Sequence, residues 1–317
     1  MPDTASPSPG VHYLCIEPDR AGQRLDNFLF GQLKGVPKSR IYRIIRDGQV
    51  RVNRRRVRQT YRLQAGDQVR IPPVRVSTPQ SQPAPGEGLA SRLAEALLYR
   101  DERLLVYDKP AGLAVHGGSG ISRGLIETLR ALHPQEQALE LVHRLDRDTS
   151  GCIMVTRHRG FLRRLQRLMQ AGGVEKRYWM LCHGNPDGEQ VIEAPLRKDS
   201  RGGERIVRVA RDGKQARTRF RLLERLGSFS LVEGILDTGR THQIRVHAAW
   251  AGFPLLGDAK YGPESGAAPG LPDRRLYLHA RSLRFRHPDS GEQLALEAPL
   301  DEVFAEALKA GRESIDG

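Results

Sequence analysis

Cysteine is scarce in this 317-residue chain: Cys15, Cys152 and Cys182 stand far apart. They form no CxxC pair and no metal-ligand spacing with nearby histidines, so neither a disulfide scaffold nor a zinc framework is expected. His116, His143, His242 and His247 are scattered and show no HExxH spacing, so no metal is expected. Aromatic residues make up only 6%, lean for packed cores but adequate beside 38% hydrophobic residues. No apolar run approaches the roughly 18 residues of a membrane span. The N-terminal MPDTASPSPG lacks the basic-then-apolar order of a signal peptide, so a cytoplasmic location without membrane contact is expected. P-loop and GxGxxG patterns are missing, and with them any expectation of a nucleotide cofactor.

Acid is also short relative to base. The chain has 51 Lys and Arg against 37 Asp and Glu, a net charge of +14. Such an excess attracts polyanions, nucleic acid first. Its placement is informative: residues 38–75 hold twelve Arg or Lys and two Asp, ten of the fourteen excess charges.

Residues 1–12, rich in Pro and Ser at their start, read as a disordered tail. A small basic domain follows over 13–75. RLDNFLFGQL carries Leu25, Phe28, Leu29 and Leu33 at helical spacing. In PKSRIYRIIRDG, Pro37 and Ser39 open a second helix and Gly48 closes it, with Ile41, Ile44 and Ile45 inward. QVRVNRRRV and GDQVRIP read as strands. The Pro/Ser/Gln/Gly-rich stretch 76–91 reads as a linker through which no helix or strand runs, leaving 92–317 as the second domain.

In that second domain LLVYD is a strand, followed by a Lys-Pro-Ala-Gly turn and another short strand. Residues 124–132 fit a helix, and CIMVT a strand. FLRRLQRLMQ is amphipathic, with Leu162, Leu165, Leu168 and Met169 inside and Arg163, Arg164 and Arg167 outside. KRYWMLCHG is a strand, FRLLERLGSFSLVEGILDTGR a hairpin, and THQIRVHAAWAG a helix with Thr241 as N-cap and Gly252 near its end. Strands outnumber helices and often join through hairpin-like turns. The expected class is therefore α+β, on a mixed, mostly antiparallel sheet with flanking helices.

Two strips carry the chemistry. In HRLDRDTSG (143–151), Asp146 lies between Arg144 and Arg147, directly before the apolar CIMV. Neighbouring positive charge favours an ionised carboxylate, which in an enclosed site acts as nucleophile or base. A surface salt-bridge cluster ending a turn would read the same way. In GRTHQIRVH (239–247) a helix puts His242 and Arg245 on one face and turns Ile244 and Ala248 to the core. A hydrolase pairing Asp146 with Asp148 is disfavoured, because residues two apart in this strip are poorly placed to flank one bond as an acid–base pair.

YDKPAGLAVHGGSG (107–120), HRLDRDTSG, KRYWMLCHG (176–184) and GRTHQIRVH in series resemble the RluA-type pseudouridine synthases. The N-terminal RLDNFL, KSRIYRIIRDGQVRVN and GDQVRIP are similar to the S4 RNA-binding domain. The resemblance spans about residues 13 to 300. It implies conversion of uridine to pseudouridine in large-subunit ribosomal RNA, without cofactor or metal. No long coiled-coil pattern is present, so a monomer is the expectation, with the oligomeric state left open. The resemblance further implies Asp146 as the catalytic carboxylate and Arg245 as its partner. Tyr178 would pack on the target base, and Arg144 would reach into the space that base vacates. His143, Lys109 and Pro110 would be supports. Attack on C1′ and removal of a sugar proton both stay open for Asp146. Lys38, Arg40, Arg43, Arg46, Arg51, Arg54, Arg55, Arg56 and Arg58 would form a convex phosphate-binding patch. The rival reading is a non-catalytic RNA-binding or ribosome-assembly factor on the same scaffold. The stretches 136–141 and 263–275 look variable.

Overall fold

The computed structural model describes residues 10–33, 36–74, 87–117, 123–136, 139–201, 204–263, 271 and 275–316. The readings of 1–9, 75–86, 118–120 and most of 263–275 lie outside these, as does the Lys38 side chain. The chain divides into two compact units, with the division between Ala84 and Pro85. No helix among the described residues is long and apolar enough to cross a membrane.

The first unit has strand β1 (His12–Cys15), helices α1 (Leu25–Gln32) and α2 (Lys38–Arg46), and strands β2 (Arg51–Val52) and β3 (Gln68–Ile71). Its three strands pair antiparallel in the order β1-β3-β2. Ile41, Ile44 and Ile45 of α2 join Leu25, Phe28, Leu29, Val52 and Val69 in one buried core. Removing these side chains from water is what holds so small a unit together. Gly48 follows α2 at φ +71°, a left-handed conformation open to glycine at little cost.

The second unit begins with helix α3 (Glu87–Glu95), so a helix starts inside the stretch read as linker. The cause is local: Leu93 is buried in the second core and Leu89 packs on it, one turn apart. Then come β4 (Leu97–Arg100), β5 (Leu104–Lys109), α4 (Leu125–Leu132), β6 (Glu140–Leu141), β7 (Ser150–Thr156) and α5 (Arg159–Gln170). They are followed by β8 (Val174–His183), β9 (Glu189–Glu193), β10 (Leu196–Arg201), β11 (Glu204–Val209), β12 (Arg217–Leu226) and β13 (Phe229–Leu236). Last are α6 (Gln243–Trp250), β14 (Leu278–Arg286), β15 (Gln293–Glu297) and α7 (Glu302–Asp316).

The strand expected after the Lys-Pro-Ala-Gly turn does not form among the described residues. The Ala114 and Val115 carbonyls instead accept from Leu125 and Ile126 at the start of α4. The main sheet runs β4-β5-β7-β14-β8-β13-β12-β9, with β15 on β14 and β6 on β7, while β10 and β11 form a separate hairpin. Its pairs are antiparallel except β7 with β14. That parallel contact is close: a Cβ at Gly151 would come within 2.3 Å of the Ala280 carbonyl oxygen, and Gly151 sits at φ +105°. The glycine ending HRLDRDTSG therefore lets β7 enter the sheet centre, buried along its whole length. The charge before it stays in the loop at the strand's mouth.

Candidate active site

That loop and the start of α6 face each other across a pocket of about 280 Å³. Its walls include Arg144, Asp146, Lys176, Tyr178, His242 and Arg245. Asp146 is the one carboxylate among the lining residues. The structure thus brings Arg144, Asp146, Tyr178 and Arg245 together from three distant segments.

The positive charge beside Asp146 does not come from its sequence neighbour. Arg147 turns outward and pairs with exposed Asp148 at 2.9 Å. The flanking charge expected from Arg147 is therefore not at Asp146: the chain turns at Arg147 and Asp148, with the Thr149 N–H donating to the Asp146 carbonyl, and the turn carries the Arg147 side chain away to Asp148. The groups that face Asp146 are the Arg245 Nη1 at 3.5 Å and the His242 Nε2 at 3.8 Å. Asp148 does not line the pocket.

Arg245 is itself clamped. Its Nε and Nη2 each donate to Asp258 at 2.7 Å, a two-point contact that fixes the guanidinium plane. The Asp258 side chain is fully buried and also accepts from the Lys260 and Tyr261 backbone N–H groups. Those bonds hold its carboxyl below the usual range against the opposing effect of burial. The Tyr261 ring lies beneath the guanidinium, 5.1 Å from its carbon to the ring centre.

Tyr261 also sets His242. The Val207 N–H donates to the Tyr261 hydroxyl oxygen at 2.9 Å, and that hydroxyl lies 2.7 Å from His242 Nδ1. Donation from this hydroxyl to Nδ1 corresponds to the tautomer with the ring proton on Nε2, toward Asp146. Burial lowers the His242 pKa, with the Asp146 charge opposing, so the ring is neutral at neutral pH. Thr241 is not the N-cap of α6. His242 occupies that place in a left-handed conformation (φ 53°, ψ 21°), and its ring caps nothing. The Arg240 N–H is satisfied instead by the Gln243 Oε1 at 3.0 Å. A left-handed histidine at a functional wall is local strain held by its surroundings.

Strand β8 alternates, so Lys176 and Tyr178 point the same way, into the pocket. Burial, then the Asp146 charge, pushes the Tyr178 phenol well above its ordinary value. Burial lowers the Lys176 pKa, with Asp237 opposing. Arg144 stands exposed at the mouth. His143 accepts from the Met154 N–H at 3.1 Å and anchors the loop to β7. Lys109 is fully buried, and its ammonium donates to the carbonyls of Pro110, Leu113 and Arg147 at 2.8 to 2.9 Å. Three carbonyls gathered on one ammonium fix the backbone next to Asp146.

Asp258, Tyr261 and Lys176 escape the reading of the sequence, and His242 had no role there. A carboxylate after the apolar turn in LLGDAKY, among so few acids, was the available signal for Asp258.

In the first unit Arg40, Arg43 and Arg46 lie exposed along α2, and Arg51, Arg54, Arg55, Arg56 and Arg58 are exposed beyond it. Asn53 and Arg54 take left-handed conformations in the turn after β2, where Val52 and Arg55 exchange both backbone bonds. Arg56 donates to the Arg46 carbonyl. The patch is not simply convex, since Tyr42, Arg46, Arg56 and Arg58 line a hollow.

Comparison with known proteins gives the family of each unit. Residues 103–250 match the RNA pseudouridylate synthase family and residues 23–69 the S4 domain. Ribosomal large subunit pseudouridine synthase C of Salmonella typhimurium is 48% identical over 96% of this chain and 98% of its own length. The chain belongs to the RNA pseudouridylate synthase family. The protein of the same name from Pasteurella multocida is 50% identical over 96% of this chain and 94% of its own. Among solved structures, human RNA pseudouridylate synthase domain containing 4 superposes with a TM-score of 0.59 at 28% identity. It covers 71% of this chain and 96% of its own. With family membership shown, the mixed-sheet catalytic unit behind an S4 unit stands as the fold.

Proposed function

We propose that this protein converts uridines of large-subunit ribosomal RNA to pseudouridine, with Asp146 acting on the ribose of an extruded nucleotide. The observation that carries the reading is one carboxylate in a nucleoside-sized pocket, faced by a guanidinium that a second carboxylate holds in place. The substrate named for the curated relatives points the same way.

In the reaction the N1–C1′ bond breaks, uracil turns, and C5 joins C1′. The proton lost from C5 is balanced by one gained at N1. Atoms are conserved and no electrons leave, so neither metal nor nucleotide cofactor is required. Attack by Asp146 on C1′ and removal of a sugar proton both need an unprotonated carboxylate under the ribose. Arg245 and the His242 Nε2–H supply charge and a donor on the side facing it. Tyr178 offers a face for the base, and Arg144 fills the vacated stack with a planar cation. Base extrusion costs a few kcal/mol, which phosphate contacts along the basic first unit offset. A monomer working in the cytoplasm completes the proposal.

Asp146→Asn tests it. Pseudouridine formation should fall by a factor on the order of a thousand or more, while RNA affinity stays within about twofold of the wild type. Undiminished pseudouridine in the variant removes Asp146 from the chemistry. A wild type that forms none on any ribosomal RNA leaves the assembly-factor reading standing.

A further inference from the structure

Beside the catalytic pocket lies a second hollow of about 470 Å³, and the two share Gly239, Arg240 and Thr241 as a common wall. Its other side is the β10–β11 hairpin and the turn before β12, which contribute Arg197, Lys198 and Lys214. We infer that this hollow is a second RNA subsite, holding a phosphodiester of the strand that flanks the extruded uridine. The inference rests on RNA being the substrate, as proposed above.

Charge is the first argument. Four cations, Arg197, Lys198, Lys214 and Arg240, line the hollow with a single carboxylate, Asp212. Asp212 is engaged by Arg197 at 2.5 Å. Lys198 and Lys214 make no side-chain hydrogen bond or ion pair among the described residues. Arg240 gives its Nε to the Gln215 carbonyl at 3.0 Å and keeps its terminal nitrogens for another partner. Gathered like charges repel one another, and an anion among them relieves that repulsion.

Rigidity is the second argument, because a hairpin projecting from a domain is ordinarily mobile. This one has a small core of its own, Leu196, Val207, Ala216 and Val246, the last from α6. Val207 is bonded to Tyr261, and Glu204 to Lys260 at 2.7 Å. Leu196 and Lys214 exchange two backbone bonds of 2.8 Å. Gly213 lies so close that a Cβ there would approach the Leu196 carbonyl carbon to 2.6 Å. On β10, Leu196 and Lys198 share one face, so the face that packs against α6 runs on into an exposed ammonium. The backbone of these cations is therefore fixed relative to the pocket in which Asp146 acts, and it fixes where a bound strand crosses.

Location selects the ligand. A polynucleotide whose one nucleotide enters the catalytic pocket must pass its neighbours over the adjoining surface, and the anion they carry is the phosphodiester. Such contacts position the strand without reading its bases. One turn, Gly239–Thr241, would touch the extruded nucleotide on one side and its neighbour on the other.

The test is the full chain carrying Lys198→Gln with Lys214→Gln, both exposed lysines outside the catalytic pocket. Binding to a large-subunit ribosomal RNA fragment that the wild type modifies is measured across a salt series, with turnover at saturating RNA alongside. Affinity should fall about tenfold and the slope of log affinity against log salt by about 1 to 2, with kcat at saturation within about twofold. A control removing charge from α7, Lys309→Gln with Arg312→Gln, should leave both affinity and slope unchanged. Affinity and slope unchanged in the hairpin variant, while the wild type makes pseudouridine, overturn the subsite alone. An equal loss in the α7 control also overturns it. A wild type that forms no pseudouridine overturns the proposed function and the subsite with it.

Discussion

Arg43 and Arg46 stand exposed on α2 of the first unit, while the Arg245 side chain in the second is 11% exposed and has two nitrogens on a fully buried Asp258. The first unit carries most of the chain's excess charge and spreads it over water-facing positions. At the pocket, Asp146, Arg245 and Asp258 are instead tied to one another in a chain of charged contacts. Exposed charge supplies affinity that salt screens and that tolerates loss of any single member. Charge held in a desolvated network supplies position, and there one missing partner disrupts the rest.

The largest effect expected from this contrast is at Asp258, which touches no substrate in the proposed reaction. Asp258→Ala leaves the mostly enclosed Arg245 guanidinium without its two-point partner. Breaking a buried pair from one side costs on the order of 3 to 5 kcal/mol. The second unit's urea transition should move to lower denaturant accordingly, and pseudouridine formation should fall by about a hundredfold or more in the fraction that stays folded. Stability near the wild type would mean that the Arg245 clamp is as dispensable as a surface arginine.

Much of this was legible in the sequence, and what was not has identifiable physical causes. HRLDRDTSG could be placed at the mouth of a buried strand because charge and apolar run are contiguous. Ile41, Ile44 and Ile45 of α2 could be turned inward because helical spacing is local. The Asp258 clamp, by contrast, depends on a turn that folds LLGDAKY back under α6, and nothing in the spacing from Arg245 announces it. Arg147 looked like a partner of Asp146 because adjacency in sequence was taken for adjacency in space. The helix beginning at Glu87 was hidden by the Pro/Gly composition before it, although Leu89 and Leu93 already carry its period. The parallel contact of β7 with β14 joins segments some 130 residues apart, and no local pattern encodes it.

A second effect, of intermediate size, comes from two histidines, the buried His279 and His143 at the pocket wall. Burial holds both His143 and His279 down to about 4, against an ordinary value of 6.5. The unfolded chain takes these protons as pH falls through 6.5, and the folded chain refuses them until about 4. In that window the unfolded state binds more protons, so stability falls as pH falls, by up to about 1.4 kcal/mol per pH unit for each histidine. Urea unfolding followed at about pH 7 and about pH 5 should show the loss in the second unit's transition. The first unit's transition should not share it, since its buried core contains no histidine. Equal acid shifts in both transitions would break the distinction between the units.

The smallest effect per residue, and the one that most sharpens the comparison, is expected from the exposed arginines. Arg40→Gln, Arg43→Gln and Arg46→Gln remove three solvent-facing charges from α2 and leave Ile41, Ile44 and Ile45 in place. Each phosphate contact contributes about 0.7 to 0.9 to the salt slope, so the triple variant should lower that slope by about 2 to 3 and weaken affinity about equally for unrelated RNA sequences. At saturating RNA kcat should be unchanged, because none of the three lines the pocket around Asp146. Since exposed charges act nearly independently, the three single variants should sum to the triple. Replacements in the Asp146–Arg245–Asp258 network should fail to add, because removing any one of them already disables the arrangement the other two maintain. A triple variant that lowered kcat at saturation would place the first unit's arginines in the same cooperative network as the pocket.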